Sequence, residues 1–140
     1  MRSYESTASI AASPDDVWAA LVDAGSWPSW DSGVDAVEGT LAEGQKITIR
    51  SSVAPGRAFP VTVTAFEPFS RLVFSGGMPL GLFRGERTYT LTPDGAGTAF
   101  RMREEYSGPL LPLIWRSMPD LQPSFDQFAA GLEQRVESGA

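Results

Sequence analysis

Residues 10–21 read Ile-Ala-Ala-Ser-Pro-Asp-Asp-Val-Trp-Ala-Ala-Leu, and Trp-Pro-Ser-Trp follows at residues 27–30. Ser13 can accept a hydrogen bond from the first turn of a helix, proline suits the first helical position, and two aspartates favour the positive end of the helix dipole. Apolar residues then recur at helical spacing, and Gly25 is a plausible end. The stretch therefore predicts a short helix, followed by a second short helix or turn around the two tryptophans.

Strands are predicted on both sides of this helical stretch. Upstream, apolar and polar residues alternate from Tyr4 to Ile10, which is typical of a half-buried strand. Downstream, turn signals such as Glu43-Gly44 and Pro55-Gly56 separate six further segments. We place these strands near residues 34–39, 45–53, 58–66, 70–77, 84–92 and 97–107. The short loops between them favour antiparallel pairing of neighbours.

The last part of the chain changes character. Prolines at positions 109, 112, 119 and 123 break residues 108–123 into irregular or short helical pieces. Beyond them a helix is predicted, because apolar residues recur every three or four positions. The stripe consists of Met118, Leu121, Phe125, Phe128, Ala129, Leu132 and Val136. The order of strand, two helices, six strands and long helix indicates an α+β fold, which we treat as one domain over residues 1–140.

The opening stretch, residues 10–21 with 27–30, resembles the polyketide cyclase/dehydrase group of the START-like (SRPBCC) superfamily. Residues 89–93 with 97–100 and the long final helix extend the resemblance over nearly the whole chain. It implies a helix-grip fold, with a seven-stranded antiparallel sheet wrapped around the C-terminal helix and two short helices between strands 1 and 2. It also implies a cavity between sheet and helix, since members bind lipids, sterols, polyketides, hormones or other hydrophobic molecules and some catalyse cyclisation or dehydration.

Composition excludes several kinds of site. The chain has 140 residues, a formal net charge of −6, and neither cysteine nor histidine. Zinc and most transition-metal sites thereby lose their usual ligands, and catalysis by Ser-His-Asp or by cysteine is excluded. We predict no metal, no cofactor and, from the charge, no nucleic-acid partner. Neither a signal peptide nor a membrane-spanning segment is visible, so we expect a cytoplasmic protein.

One charged pair is predicted inside the curled sheet. In residues 97–107, alternation places Glu104 on the same face as Phe100, Met102 and Tyr106. If residues 84–92 pair with this strand through the Pro93–Gly97 turn, Arg87 lies near Glu104. A buried carboxylate is costly unless it is paired. The pair has three open roles: an anchor for a ligand, an acid/base pair, or an ion pair that only stabilises the sheet.

Apolar residues from the predicted strands and C-terminal segment complete the candidate binding site. For each one, core packing is the alternative to ligand contact, and together they have the composition of a small-molecule pocket. With the charged pair, the predicted ligand-binding residues are Trp30, Ile49, Phe59, Val61, Phe74, Met78, Phe83, Arg87, Tyr89, Phe100, Met102, Glu104, Trp115, Met118, Leu121 and Phe125. We expect the entrance where the apolar loop 76–83 meets the proline-broken segment. That loop is a flexible lip, an oligomer contact, or a segment folded onto residues 109–118.

Three functions are compatible with these features. The first is binding of a small hydrophobic molecule, such as a lipid, polyketide or aromatic metabolite. The second is a polyketide cyclase or dehydratase that positions its substrate, with acid/base help from Arg87, Glu104, Tyr89 or Tyr106. The third is a protein-interaction or stress-response role. We expect a monomer or a homodimer.

Overall fold

Seven antiparallel strands form one curled sheet in the computed structural model of the chain, which describes residues 2–52, 54 and 56–138. In chain order the strands are β1 (Arg2–Ile10), β2 (Val34–Glu38), β3 (Lys46–Ser51), β4 (Phe59–Glu67), β5 (Arg71–Gly77), β6 (Arg84–Asp94) and β7 (Gly97–Ser107). Consecutive strands lie side by side from β2 to β7, and β1 pairs with β7 at the other edge. The predicted antiparallel meander is confirmed.

Three α-helices accompany the sheet: α1 (Pro14–Val22), α2 (Leu111–Ser117) and α3 (Gln122–Glu137). A 3-10 helix, Ala24–Ser29, follows α1 and contains Trp27, the first of the two tryptophans around which a short helix or turn was predicted. Ser13 caps α1, since its hydroxyl accepts a hydrogen bond from the amide of Asp16 at 3.3 Å. The two short helices between the first two strands and the long C-terminal helix are the elements of the predicted helix-grip fold.

The structure corrects two local predictions. Strand β6 continues to Asp94, which pairs with Gly97 of β7. The turn therefore consists of Gly95 and Ala96 alone and is shorter than the predicted Pro93–Gly97 turn. The C-terminal helical stripe is interrupted, because α2 ends at Ser117 and α3 begins at Gln122. Met118 and Leu121 therefore precede α3. The predicted end of β3 at residue 53 lies outside the described residues.

Helix α3 lies against the concave face of the sheet and builds the core there. Its buried residues include Phe125, Phe128 and Leu132. The ring of Phe128 is 5.0 Å from that of Trp27 and 5.6 Å from that of Tyr89, measured between centroids. Trp27 is itself fixed by a 3.1 Å hydrogen bond from its indole nitrogen to a carbonyl oxygen of α1. Aromatic packing thus joins α3, the 3-10 helix and the sheet.

The convex face is ionic rather than apolar. Glu5 on β1 accepts hydrogen bonds from Arg101 at 2.8 Å and Arg103 at 3.0 Å, both on β7, and Arg103 also pairs with Glu105. The hydrogen bond from Arg101 is the main reason that the pKa of Glu5 lies below its ordinary value. Because these side chains are partly or largely exposed, they keep this face in water and leave the opposite face for burial.

A glycine in α3 determines how closely the helix approaches the segment before β2. A Cβ atom at Gly131 would overlap the carbonyl oxygen of Asp31 and would lie 3.1 Å from the ring of Trp30. Gly131 is buried, so a larger residue cannot turn outward. The close approach of helix and segment therefore requires the absence of a side chain.

We predict that Gly131→Ala lowers the free energy of unfolding by about 1–3 kcal/mol, the usual cost of overpacking. An alanine in an exposed helix would instead be stabilising by about 1 kcal/mol relative to glycine, so the sign of the effect reports the contact. Urea unfolding followed by circular dichroism measures it. Gly25→Ala is the matched control, since a Cβ there meets nothing within 4 Å. A neutral or stabilising effect of Gly131→Ala would contradict this packing.

Candidate functional site

A cavity of about 390 Å³ occupies the part of the concave face that α3 does not fill. Its wall consists of β2 to β7 and the segment before β2, and α2, α3 and the break between these helices close it. Most lining side chains are apolar, among them Ile49, Phe74 and Met102. Phe59, on the first residue of β4, is 41% exposed and marks the rim. A largely apolar, partly open cavity of this size is typical of small-molecule sites, which span about 300–1,000 Å³.

The predicted charged pair forms in the wall of this cavity. Arg87 on β6 lies directly opposite Glu104 on β7, and its Nε donates to the Glu104 Oε1 atom at 2.7 Å. The side chains are 26% and 16% exposed, and both line the cavity. The Arg87 guanidinium also stacks on Phe125 of α3, 4.7 Å from the ring centroid. The cation is therefore held by a carboxylate and by an aromatic face.

A glycine makes room for the carboxylate of this pair. Gly85 precedes Arg87 by two residues on the same face of β6, and a Cβ there would lie 2.7 Å from the Glu104 Oε2 atom. The same Cβ would contact the ring of Tyr106 at 3.5 Å. The Glu104 carboxylate thus lies against bare backbone, which fixes its position toward Arg87.

Two tyrosine hydroxyls lie beside the pair. Burial is the main cause that raises the pKa of both Tyr89 and Tyr106, and the negative charge of Glu104 raises them further while Arg87 opposes the shift. Both phenols therefore stay protonated around neutral pH. Burial lowers the pKa of Arg87, but the attraction of Glu104 outweighs it, so the guanidinium remains charged. Neither hydroxyl has a hydrogen-bond partner among the described residues.

The structure brings most of the predicted ligand-binding residues together at the cavity. Strand residues and the C-terminal segment contribute, and the break between α2 and α3 brings its two apolar side chains into the lining. The predicted residues that line it are Ile49, Phe59, Val61, Phe74, Phe83, Arg87, Met102, Glu104, Met118, Leu121 and Phe125; Tyr106, predicted only as acid/base help, lines it too.

Five predicted residues do not line the cavity. Tyr89 and Phe100 are fully buried in the solid core, where their rings pack around Phe128. Trp30 packs against the same phenylalanine, with centroids 5.3 Å apart. Trp115 turns to the edge of the sheet and stacks on Tyr4 at 5.3 Å. Met78 is 44% exposed on the tip between β5 and β6. Four of these side chains pack against an aromatic ring, and that of Met78 is partly exposed to solvent.

The sequence did not indicate a second group of lining residues. Most of them are small or lie in loops between strands and helices, where the periodicity of apolar residues does not indicate which way a side chain points. They are Ser32, Gly33, Val34, Ser51, Arg57, Pro60, Gly76, Gly77, Gly85, Ile114, Ser124 and Phe128. Two could have been found from the predicted strand pairing, since Gly76 and Gly85 lie opposite one another beside Tyr106.

The apolar loop predicted at residues 76–83 folds back onto the proline-broken segment. The amide of Leu110 donates to the carbonyl oxygen of Leu82 at 3.0 Å, and the ring of Phe83 stacks on Tyr106 with centroids 6.1 Å apart. Phe83 from this loop and Ile114 from the proline-broken segment both line the cavity. At the tip, Leu80 has a positive φ of 62° and is 95% exposed.

The described residues contain no group of three side chains suited to hold a metal ion. Within the same part of the chain, no helix combines the length and apolar character that crossing a bilayer requires. The polar side chains that line the cavity include those of Arg57, Arg87, Glu104 and Tyr106.

Comparison with known proteins agrees with this architecture. A family model described as polyketide cyclase / dehydrase and lipid transport matches residues 1–137. A crystal structure of a Mesorhizobium loti protein superposes with a TM-score of 0.76 at 22% identity, covering 99% of both chains. A Thalictrum norcoclaurine synthase mutant with a transition-state analogue gives 0.72 at 15% identity, covering 99% of this chain and 95% of that chain. The Aha1 dimer from Colwellia psychrerythraea gives 0.75 at 18%, covering 99% and 98%.

We predict that breaking the charged pair costs more than removing it. Glu104→Leu or Arg87→Met leaves one charge uncompensated and should lower the free energy of unfolding by about 1–3 kcal/mol. The double variant should recover most of that loss, because neither charge is left behind. Urea denaturation of the four proteins measures the coupling.

The surface pair Arg71–Glu67 is the control for this cycle. Its atoms are 2.8 Å apart, but the side chains are 46% and 51% exposed. Glu67→Gln should therefore leave the free energy of unfolding nearly unchanged. If the double Arg87/Glu104 variant is as unstable as the sum of the single variants, the two side chains are not coupled.

Proposed function

We propose that this chain, which belongs to the polyketide cyclase/dehydrase and lipid transport family, binds a small hydrophobic molecule in its cavity and does so as a single domain over residues 1–140. The observation that carries the proposal is a largely apolar, partly open cavity whose wall holds the ion pair Arg87–Glu104. An apolar wall supplies affinity by excluding water, and a few polar groups orient the ligand.

The position of the ion pair supports a ligand-binding role for it. A pair that served only the sheet would be equally effective on the convex face, where the Glu5, Arg101 and Arg103 network lies in water. Arg87 instead reaches the cavity between Glu104 and Phe125. We assign it the role of polar anchor, and we assign Glu104 and Gly85 the role of positioning it.

A second candidate function is catalysis by substrate positioning. It is favoured by the placement of Glu104 and of the protonated phenol of Tyr106 on the same stretch of cavity wall. Glu104 would accept a proton, and Tyr106 would donate a hydrogen bond to an oxygen that gains charge. A structural relative, norcoclaurine synthase, is an enzyme by its name. Turnover of a bound molecule would distinguish catalysis from carriage.

The partner in this proposal is the small ligand, with the chain acting as a monomer or homodimer in the cytoplasm. The third possibility, a protein-interaction role, is supported by the exposed side chains of Met78 and Leu80 at the tip between β5 and β6. It also fits a structural relative described as a dimer. Because the cavity binds its ligand without a second chain, the tip is not needed for the main proposal.

We predict that filling the cavity abolishes binding while leaving the fold intact. Val61 lines the cavity from β4, and Val61→Trp should weaken binding of the fluorescent naphthyl ketone prodan by at least about tenfold, or about 1.4 kcal/mol. Fluorescence titration measures it, since prodan emission shifts to the blue in an apolar site. Thr64→Trp adds the same ring on the exposed face of β4 and should bind like the wild type. Equal loss in both variants, or binding by Val61→Trp that is as tight as that of the wild type, would contradict a ligand site in the cavity.

A further inference from the structure

The terminal nitrogens of Arg87 are available to the cavity. A guanidinium has five N–H donors, and only the one on Nε is used, by Glu104 at 2.7 Å. Neither terminal nitrogen makes a hydrogen bond to any residue in 2–52, 54 and 56–138, and neither is among the polar atoms sealed from solvent there. The Tyr89 hydroxyl lies close enough to the guanidinium to interact with one of its N–H groups. At least three donors therefore remain on a side chain that lines the cavity.

The charge at this point of the wall is already compensated. Glu104 neutralises Arg87 through a short contact, and the face of Phe125 covers the guanidinium at 4.7 Å. The lining contains one further charged side chain, Arg57, which is exposed to water in the connection between β3 and β4. The deep part of the site thus presents hydrogen-bond donors without a net charge. The Tyr106 hydroxyl lies nearby but is sealed from solvent, so Arg87 supplies the donors that face the cavity.

We propose, building on the binding function proposed above, that this site selects ligands which present a neutral acceptor oxygen, such as that of a ketone, to the terminal N–H groups of Arg87. A ketone oxygen has two lone pairs and needs only donors, which Arg87 supplies. A carboxylate would have to lose its hydration while lying near Glu104, and like charges in a poorly hydrated site repel one another. Glu104 is therefore a specificity-determining residue that excludes acids from this position.

Three naphthalene probes with the substituent at the same ring position test this preference. They are methyl naphthyl ketone, the isopropenyl compound in which CH₂ replaces the ketone oxygen, and naphthoate, which is ionised at neutral pH. Titration calorimetry with the wild-type protein should give at least about tenfold tighter binding for the ketone than for the isopropenyl compound. Naphthoate should bind more weakly than the ketone by a larger factor.

Two variants identify the residues responsible. Glu104→Gln keeps the shape of the side chain but leaves the charge of Arg87 uncompensated. This variant should therefore bind naphthoate more tightly than the ketone. Arg57→Gln removes the other cation of the lining and should leave the order unchanged. If Glu104→Gln fails to fold, the three wild-type titrations still decide whether a neutral acceptor is preferred.

The outcomes separate this inference from the proposal on which it rests. Binding of none of the three probes would contradict the binding function itself for molecules of this size. Equal affinity for the ketone and the isopropenyl compound would leave the cavity as a binding site but overturn the role of the Arg87 donors. Tightest binding of naphthoate by the wild type, or loss of naphthoate binding in Arg57→Gln alone, would also overturn it.

Discussion

The packing of Phe128 from α3 determines which part of the concave face is solid and which part is hollow. Its ring meets Trp27, Trp30 and Tyr89 within 5.0–5.6 Å, so sheet, 3-10 helix and α3 are held at one point. Around this point the space is filled by aromatic side chains. Beyond it, toward β3 and the break between α2 and α3, the side chains leave space and the cavity remains. Close approach at Gly131 keeps the helix in that place.

The ion pair lies where the hollow part begins, and its chemistry follows from that position. In a solid core Arg87 and Glu104 would need every donor and acceptor satisfied by protein. Facing a cavity, the pair can leave donors for a ligand while each charge compensates the other. Gly85 and Phe125 hold the pair from two sides without adding polar atoms. The wall thus combines an apolar surface with one oriented, neutral set of donors, which suits recognition of a hydrophobic molecule bearing an oxygen.

Alternation along strands predicted much of this correctly. The period of two residues placed Glu104 on the buried face, and pairing through the β6–β7 hairpin brought Arg87 opposite it. The same rule could not separate cavity from core. Tyr89 and Phe100 lie on the same face as the lining residues, but their rings pack against Phe128 in the core. The prolines indicated a break before α3. That Met118 in this break lines the cavity is set by tertiary packing, which the sequence pattern does not show. Glycines and Arg57, which no hydrophobic pattern marks, entered the site only with the structure.

The most direct test of this account is to observe the Arg87 side chain when a ligand binds. In a protein labelled with ¹⁵N-arginine, NMR spectra of the guanidinium nitrogens report hydrogen bonding at Nε and at the terminal positions separately. On addition of methyl naphthyl ketone, we expect the terminal resonances of Arg87 to shift and their protons to exchange more slowly, while Nε, held by Glu104, changes little. Saturable ketone binding with unchanged Arg87 terminal resonances, or with shifts at Arg57 instead, would contradict it.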